Sequence, residues 1–306
     1  MSKTALLCAG QGAQVVGMGR DFAEQFPSAR AWFDRANAIL NHDLTGVCFN
    51  GPEAELTRTE NAQPGIFLVS WVAFQLLKER VPNLEFHATA GLSLGEFTAL
   101  TAAGAMSFED GLRVVRQRGR FMQEACDVTQ GAMAAVIGLD ETATREVCAE
   151  AGVVLANLNC PGQLVISGEK SKIERAVELA KAKGAKRAIP LPVAGAYHSP
   201  LMASAQPKLQ AELANVRFQA PSVPVISNVD AAPHGSDIAG RLVEQVTSSV
   251  RWEDSMRRLL SEGFTRFIEL GPGTALTGFM KRIDRNAVTL NVADVVSLEA
   301  TVQQLK

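Results

Sequence analysis

Metal and disulfide chemistry have little to work with in this chain. Its five cysteines (Cys8, Cys48, Cys126, Cys148 and Cys160) are odd in number, and no two form a C-x-x-C pair. That argues against a disulfide framework and against a zinc site, and it fits a reducing, cytoplasmic setting. Histidine is scarce, at four residues, and tyrosine occurs once. No apolar run approaches the roughly 18 residues of a membrane span. The opening "MSKTALLCAG" is briefly apolar, but glycine-rich loop sequence follows too soon for a secretory signal. The formal net charge is only -2, so the basic balance of a nucleic-acid binder is missing. No Walker loop is present, and both glycine stretches that resemble a dinucleotide loop fail at the third glycine, where Val15 and Leu276 stand. Internal repeats and low-complexity linkers are absent too. What is there is globular: 306 residues, 47% hydrophobic and 20% charged, enough for one large domain or two ordinary ones.

Strand-like and helix-like segments alternate along most of the chain. "TALLCAG" predicts a short buried strand feeding a glycine loop, and "PGIFLVSWVAFQLLKERV" (64–81) predicts a mostly buried helix. "HATAGLSLGEFTALTAAGAM" (87–106) predicts strand, sharp turn and helix, and "FEDGLRVVRQRGRFMQEA" a further helix. This alternation implies a parallel, doubly wound sheet. Between about 127 and 195 the order becomes strand-helix-strand-strand-helix-strand, with Asp140 opening the first helix and Gly152 closing it. That is the ferredoxin-like split unit. The expected organisation is therefore a hydrolase-like α/β domain, residues 1–126 and 196–306, carrying an inserted ferredoxin-like subdomain at 127–195. After the insert, "SPLMASAQPKLQAELANV" predicts a helix with Pro200 near its first position, and "VPVISNV" and "RFIELG" predict strands.

The chemistry starts at "GLSLGEFTAL". G-x-S-x-G between a strand and a helix is the nucleophile-elbow pattern, and it puts Ser93 over a helix N-terminus whose free N–H groups favour an oxyanion. A plain tight turn is the alternative, and the flanking strand and helix favour the elbow. A serine nucleophile needs a base. His42 lies in a polar turn expected to face solvent, His87 begins the strand before the elbow, and His234 lies in a Pro/Gly loop. His198, after a strand and a glycine and directly before a helix start, occupies the kind of position where α/β folds place catalytic groups, although a capping or surface histidine fits the same position.

On the 108–125 helix, Arg113, Arg116, Gln117, Arg120 and Glu124 share one face, while Arg118 falls on the apolar face with Val114, Val115, Phe121 and Met122. A guanidinium there keeps its charge and needs a partner. It is either a structural ion pair, a side chain that snorkels past Met122, or a fork for a substrate carboxylate.

Taken together and in order, these stretches resemble the malonyl-CoA:acyl carrier protein transacylase family over nearly the whole chain. "GQGAQVVGMG", "NAQPGIFLVS", "GLSLGEFTAL", "VRQRGRFMQEA", "NLNCPGQLVISG", "GAYHSPLM", "LVEQVTSSVRWEDSM" and "ELGPGTALTGFMKRI" carry the likeness. The resemblance implies that Ser93 is the nucleophile and His198 its base. It implies an oxyanion hole built from the backbone N–H groups of Gln11 and Leu94, and Arg118 as the grip on the malonyl carboxylate. It also implies that no carboxylate completes a triad: the backbone carbonyl of Gln245 orients the histidine. No cofactor is implied beyond the coenzyme A thioester itself. The implied partners are malonyl-CoA and an acyl carrier protein with its phosphopantetheine arm; neither nucleic acid nor membrane is expected, and a monomer is.

Two positions depart from the family. Leu92 replaces the usual histidine before the nucleophile, and Tyr197 replaces the phenylalanine more common before the base, where it should still narrow the pocket against α-branched substrates. The implied pathway is fatty acid synthesis, with a free-standing acyltransferase of polyketide synthesis as the alternative. An α/β hydrolase or thioesterase would share Ser93 and His198, would need an acid partner, and would have no use for Arg118. A decayed, non-catalytic scaffold would have no use for any of the three. An acidic carrier would need a basic landing surface. Lys181, Lys183, Lys186 and Arg187 form one candidate, and Lys281, Arg282 and Arg285 another; solvated surface charge is the favoured reading of either cluster.

Overall fold

The computed structural model describes residues 3–306. Two sheets organise it. The first is parallel throughout, with strands β1 (Lys3–Cys8), β2 (Ala88–Gly91), β7 (Val225–Ile226), β8 (Phe264–Leu270) and β9 (Val288–Val292) in the order β7-β2-β1-β8-β9. From Thr4 on, β1 is buried at every position, which is why its sequence is a continuous small and aliphatic run rather than an alternation. Helices cover both faces. The longest, Thr59–Arg80 and Phe108–Asp127, pack on each other and bury Ile66, Phe67, Val114 and Val115 in the main core.

The second sheet is antiparallel, with β3 (Gly131–Ile137), β4 (Val154–Cys160), β5 (Gln163–Glu169) and β6 (Arg187–Pro190) in the order β4-β5-β3-β6. Helices Glu141–Ala151 and Lys170–Ala182 cover it and close a separate small core around Val136, Ile166 and Val177. Asp140 caps the first of these helices by accepting from the Ala143 amide, and Gly152 ends it in the left-handed region, as the sequence predicts. Backbone bonds between the Ala156–Leu158 stretch of β4 and Val250, just before the helix Trp252–Ser261, tie the antiparallel sheet to the rest of the fold.

Register sets the stage for the site. Cys8 pairs with Gly91 on one side and Leu270 on the other, so β1, β2 and β8 end level with one another. The loops that leave them, beginning at Ala9, Leu92 and Gly271, emerge side by side at the carboxyl end of the sheet, where open α/β folds hold their ligands.

Four expectations need correction. The 64–81 helix begins five residues earlier, at Thr59, with Pro64 inside it. Proline removes the N–H that would have bonded the Glu60 carbonyl, and that carbonyl instead accepts from Arg116 Nη1 (3.2 Å). The helix expected after Pro200 is split into a 3₁₀ turn, Pro200–Met202, and a helix, Ala205–Leu213, and "VPVISNV" contributes only Val225–Ile226 as strand. Finally, His42 is half-buried, with Nε2 inside and unpartnered among the described residues, rather than facing solvent.

Candidate active site

Ser93 sits between β2 and helix Gly95–Ala102 with φ 52°, the left-handed region that a serine occupies only under constraint. Such a conformation costs on the order of 1–3 kcal/mol and survives where surrounding bonds over-determine it. The flanking glycines are required by contact. A Cβ on Gly91 would overlap the Gly95 carbonyl, and one on Gly95 would overlap the Cys8 carbonyl oxygen of β1. The elbow is further pinned by Asn228, whose Oδ1 accepts the Ser93 amide (2.6 Å) and whose Nδ2 donates to the Gly91 carbonyl (2.8 Å).

His198 reaches the serine from the loop after β6. It too has a left-handed backbone, φ 57°. Its Nε2 lies 2.8 Å from Ser93 Oγ and its Nδ1 lies 3.0 Å from the Gln245 carbonyl oxygen. A carbonyl only accepts, so the Nδ1 proton is fixed there and the Nε2 lone pair faces the hydroxyl. The ring is buried, and burial, followed by the nearby Arg118 charge, pushes its pKa down to about 4. Bonds to the Gln245 and Ser248 backbone oppose this but do not cancel it. The imidazole is therefore neutral at pH 7 and able to accept a proton.

Arg118 is 1% exposed. Its Nη1 donates to Gln63 Oε1 (2.7 Å), and Nη2 donates to Ser93 Oγ (3.1 Å) and Gln245 Oε1 (3.0 Å). None of these partners is a carboxylate, and Nε is buried with no partner among the described residues. Burial lowers its pKa to about 10, against the opposing influence of Glu96 and Tyr197, so the charge persists at neutral pH. The guanidinium also lies over the Phe97 ring at 5.3 Å. This is a cation held beside the serine hydroxyl by neutral groups alone.

Gln245, 1% exposed, links all three. Its carbonyl holds His198, its Oε1 accepts from Arg118, and its Nε2 donates to the Ser93 carbonyl (3.0 Å). The Leu94 amide opens the helix after the elbow, and Gln11 lies in the loop after β1. Neither backbone N–H enters a hydrogen bond among the described residues. Tyr197 is buried, with its hydroxyl 2.7 Å from Thr59 Oγ1, and desolvation raises its pKa to about 12. The ring is thus tethered to the early turn of the Thr59–Arg80 helix.

A cavity of about 580 Å³ opens onto Ser93 and His198. Gln11, Leu92, Ser93, Tyr197 and His198 line it from the parallel-sheet side, and β4 and β5 border it from the other sheet. That is the size of a small-molecule site. No cluster of three His, Cys, Asp or Glu side chains able to hold a metal occurs among the described residues, and no helix there is long and apolar enough to cross a membrane.

Four site residues escape the sequence reading. Gln63 holds Arg118, Asn228 holds the elbow, and Glu96 and His234 form a buried pair beneath it. His234 lies in a loop, as expected, and its side chain is fully buried against Glu96. Of the two basic clusters, Lys181 and Lys183 are countered by Glu178 and Glu146. Lys281 and Arg282 end the Ala275–Ile283 helix, whose first turn borders the cavity.

Known proteins are similar to this chain in sequence and in fold. The acyl transferase domain family matches residues 5–300. A malonyl CoA-acyl carrier protein transacylase of Bacillus subtilis is 47% identical over all of this chain and 98% of its own length. The solved structure of the malonyl CoA-acyl carrier protein transacylase from Coxiella burnetii superposes with a TM-score of 0.95 at 35% identity, covering 99% of this chain and 98% of that one. A malonyl-transacylase solved with a type II polyketide acyl carrier protein superposes equally well, at 37% identity, covering 99% of this chain and all of that one. With a match across its whole length in both sequence and fold, the chain belongs to the malonyl-CoA:acyl carrier protein transacylase family of acyltransferases.

Proposed function

We propose that this enzyme moves a malonyl group from malonyl-CoA to the phosphopantetheine thiol of an acyl carrier protein through a malonyl ester on Ser93. One observation carries the choice of acyl group: Arg118 is a buried cation, 3.1 Å from the Ser93 hydroxyl, with no carboxylate among its hydrogen-bond partners. An acyl group on Ser93 whose far end is a carboxylate supplies the missing partner.

His198 takes the Ser93 proton as Oγ attacks the thioester carbonyl. The oxyanion rests on the Gln11 and Leu94 amides, and the Leu94 amide lies at the positive end of a helix. Coenzyme A leaves with the proton returned by His198. The carrier thiol then attacks the serine ester by the same chemistry in reverse. Tyr197 narrows the acyl end of the cavity against α-branched groups. The partner of His198 is a backbone carbonyl, not the acid a Ser-His-Asp hydrolase would place there, and that favours transfer over hydrolysis. We place the reaction in fatty acid synthesis, in the cytoplasm, by a monomer that needs no metal or redox cofactor. A polyketide carrier would use the same site, and comparing discharge by the two holo carriers separates the pathways.

Coenzyme A release without a carrier should stop after about one equivalent per enzyme. Continuous release at the steady-state transfer rate would mean hydrolysis instead.

The pH dependence has a definite sign. The folded pKa of His198 is depressed to about 4, so the neutral, working ring is present above that value and is lost only as pH falls through it. The same shift withdraws stability as pH falls from the unfolded value near 6.5 toward 4, because the unfolded chain takes up that proton first. Acylation kcat/KM should therefore show its acid limb well below 6.5. Malonyl-N-acetylcysteamine, which has no titrating phosphate, is the substrate of choice. Once a malonyl carboxylate pairs with Arg118, the charge depressing His198 is offset, so the limb in kcat should lie higher than in kcat/KM. A kcat/KM limb at 6.5 would contradict the buried-base reading.

A further inference from the structure

Beneath the elbow lies a buried pair that the transfer mechanism does not use. Glu96 stands three residues after Ser93, in the first turn of the Gly95–Ala102 helix, and is fully buried. Its Oε1 is 2.6 Å from His234 Nε2. Its Oε2 accepts from the Asn228 amide (3.0 Å) and from Gln245 Nε2 (2.7 Å). Two of these three partners are themselves holders of the reacting groups. Asn228 grips the Ser93 amide and the Gly91 carbonyl. Gln245 grips the Ser93 carbonyl, the His198 ring and Arg118.

We infer that Glu96, seated by His234, is a positioning residue that locks the serine elbow and the His198–Arg118 side of the site to each other. This rests on the malonyl-serine reading above.

The chemistry of the partners supports it. The Asn228 amide and the Gln245 Nε2 can only donate, and a carboxylate can only accept, so the set is satisfied by an ionised Glu96. His234 Nδ1 is buried without a partner among the described residues. A proton there would be an unsatisfied buried donor, so the single ring proton belongs on Nε2, directed at Glu96. Glu96 thus receives three hydrogen bonds from three separate stretches of chain, at residues 228, 234 and 245. An amide in its place would turn its NH2 toward at least one of these donors, so that stretch is released or His234 must move its proton to the buried Nδ1, where it finds no partner among the described residues. Ser93 gives the lock its purpose: a left-handed serine keeps its geometry only while its amide and carbonyl are held from outside. Glu96 also adds the one carboxylate whose charge supports protonated Arg118, without touching it.

The test is single-turnover acylation by malonyl-CoA, followed by intact mass, in the parent and in Glu96→Gln, His234→Phe, His234→Gln and Gln245→Ala. Misplacing reacting groups by about an ångström costs on the order of 10²-fold in rate. The rate at saturation in Glu96→Gln should fall by that order, with the half-saturating malonyl-CoA concentration within about threefold of the parent. His234→Gln, which can still donate to Glu96, should recover most of the rate that His234→Phe loses. Combining Glu96→Gln with Gln245→Ala should cost no more than the worse single change, as expected of residues acting as a unit. A Glu96→Gln rate within twofold of the parent, or losses that multiply in the double variant, would overturn the positioning role. If Glu96→Gln does not fold, the two His234 variants decide alone: equal rates in both refute it. A parent that forms no adduct would instead sink the malonyl-serine reading itself.

Discussion

Replacing Ser93 with alanine should reduce malonyl transfer by on the order of 10⁴-fold or more, the scale seen when the nucleophile of a serine enzyme is removed. Everything else stays in place. The Ser93 backbone bonds to Asn228 and Gln245 do not involve the hydroxyl, so the elbow should keep its shape. Arg118 retains Gln63 and Gln245, and His198 retains the Gln245 carbonyl. Only the atom that would carry the malonyl group is gone, and direct attack by the carrier thiol would have to replace two positioned steps with one unpositioned step. Coenzyme A release in the presence of holo carrier measures this. A residual rate within tenfold of the parent would take the serine out of the reaction path.

Arg118→Ala should change what is transferred more than whether anything is. A charge-assisted hydrogen bond contributes about 1.5–3 kcal/mol, so malonyl kcat/KM should fall by about one to two decades. Acetyl transfer has no carboxylate to lose and should fall less or rise. The malonyl-to-acetyl ratio should drop at least tenfold. His198 should respond too, because the Arg118 charge is the second cause of its depressed pKa, after burial. Without that charge the acid limb should move to higher pH. Lysine is not an equivalent replacement, since a point charge cannot reach Gln63, Ser93 and a carboxylate with one planar fork. Parallel kcat/KM measurements with the two thioesters settle this point, and an unchanged ratio would remove Arg118 from acyl selection.

What the sequence reveals of this site follows from the range of each signal. Ser93 announces itself through flanking glycines, which the close approach of the elbow helix to the Gly91 backbone and to β1 demands. Arg118 stands out because a helix face written in valine and methionine has no ordinary place for a guanidinium. Both sheets can likewise be read from alternation and segment order, which are local. Glu96, Asn228 and His234 give no such signal. Their partners lie more than 130 residues away along the chain, and a first-turn glutamate reads simply as a favourable helix residue. The Pro/Gly loop of His234 carries no hint that it folds back under the elbow. Gln63 was hidden by Pro64, which looks like a helix start and is in fact inside one, because Arg116 satisfies the carbonyl that the proline leaves free. The two-residue strand Val225–Ile226 is short because the chain must turn away at once to present Asn228 to Ser93.

The central claim is a malonyl group held on Ser93 between a thioester donor and a thiol acceptor. Intact-protein mass spectrometry after brief mixing with malonyl-CoA tests it most directly, with holo acyl carrier protein added in a second step. One malonyl adduct on the parent, none on Ser93→Ala, and discharge of the adduct onto the carrier is the predicted result. An adduct that persists on Ser93→Ala, or one that carrier cannot discharge faster than water does, would contradict it.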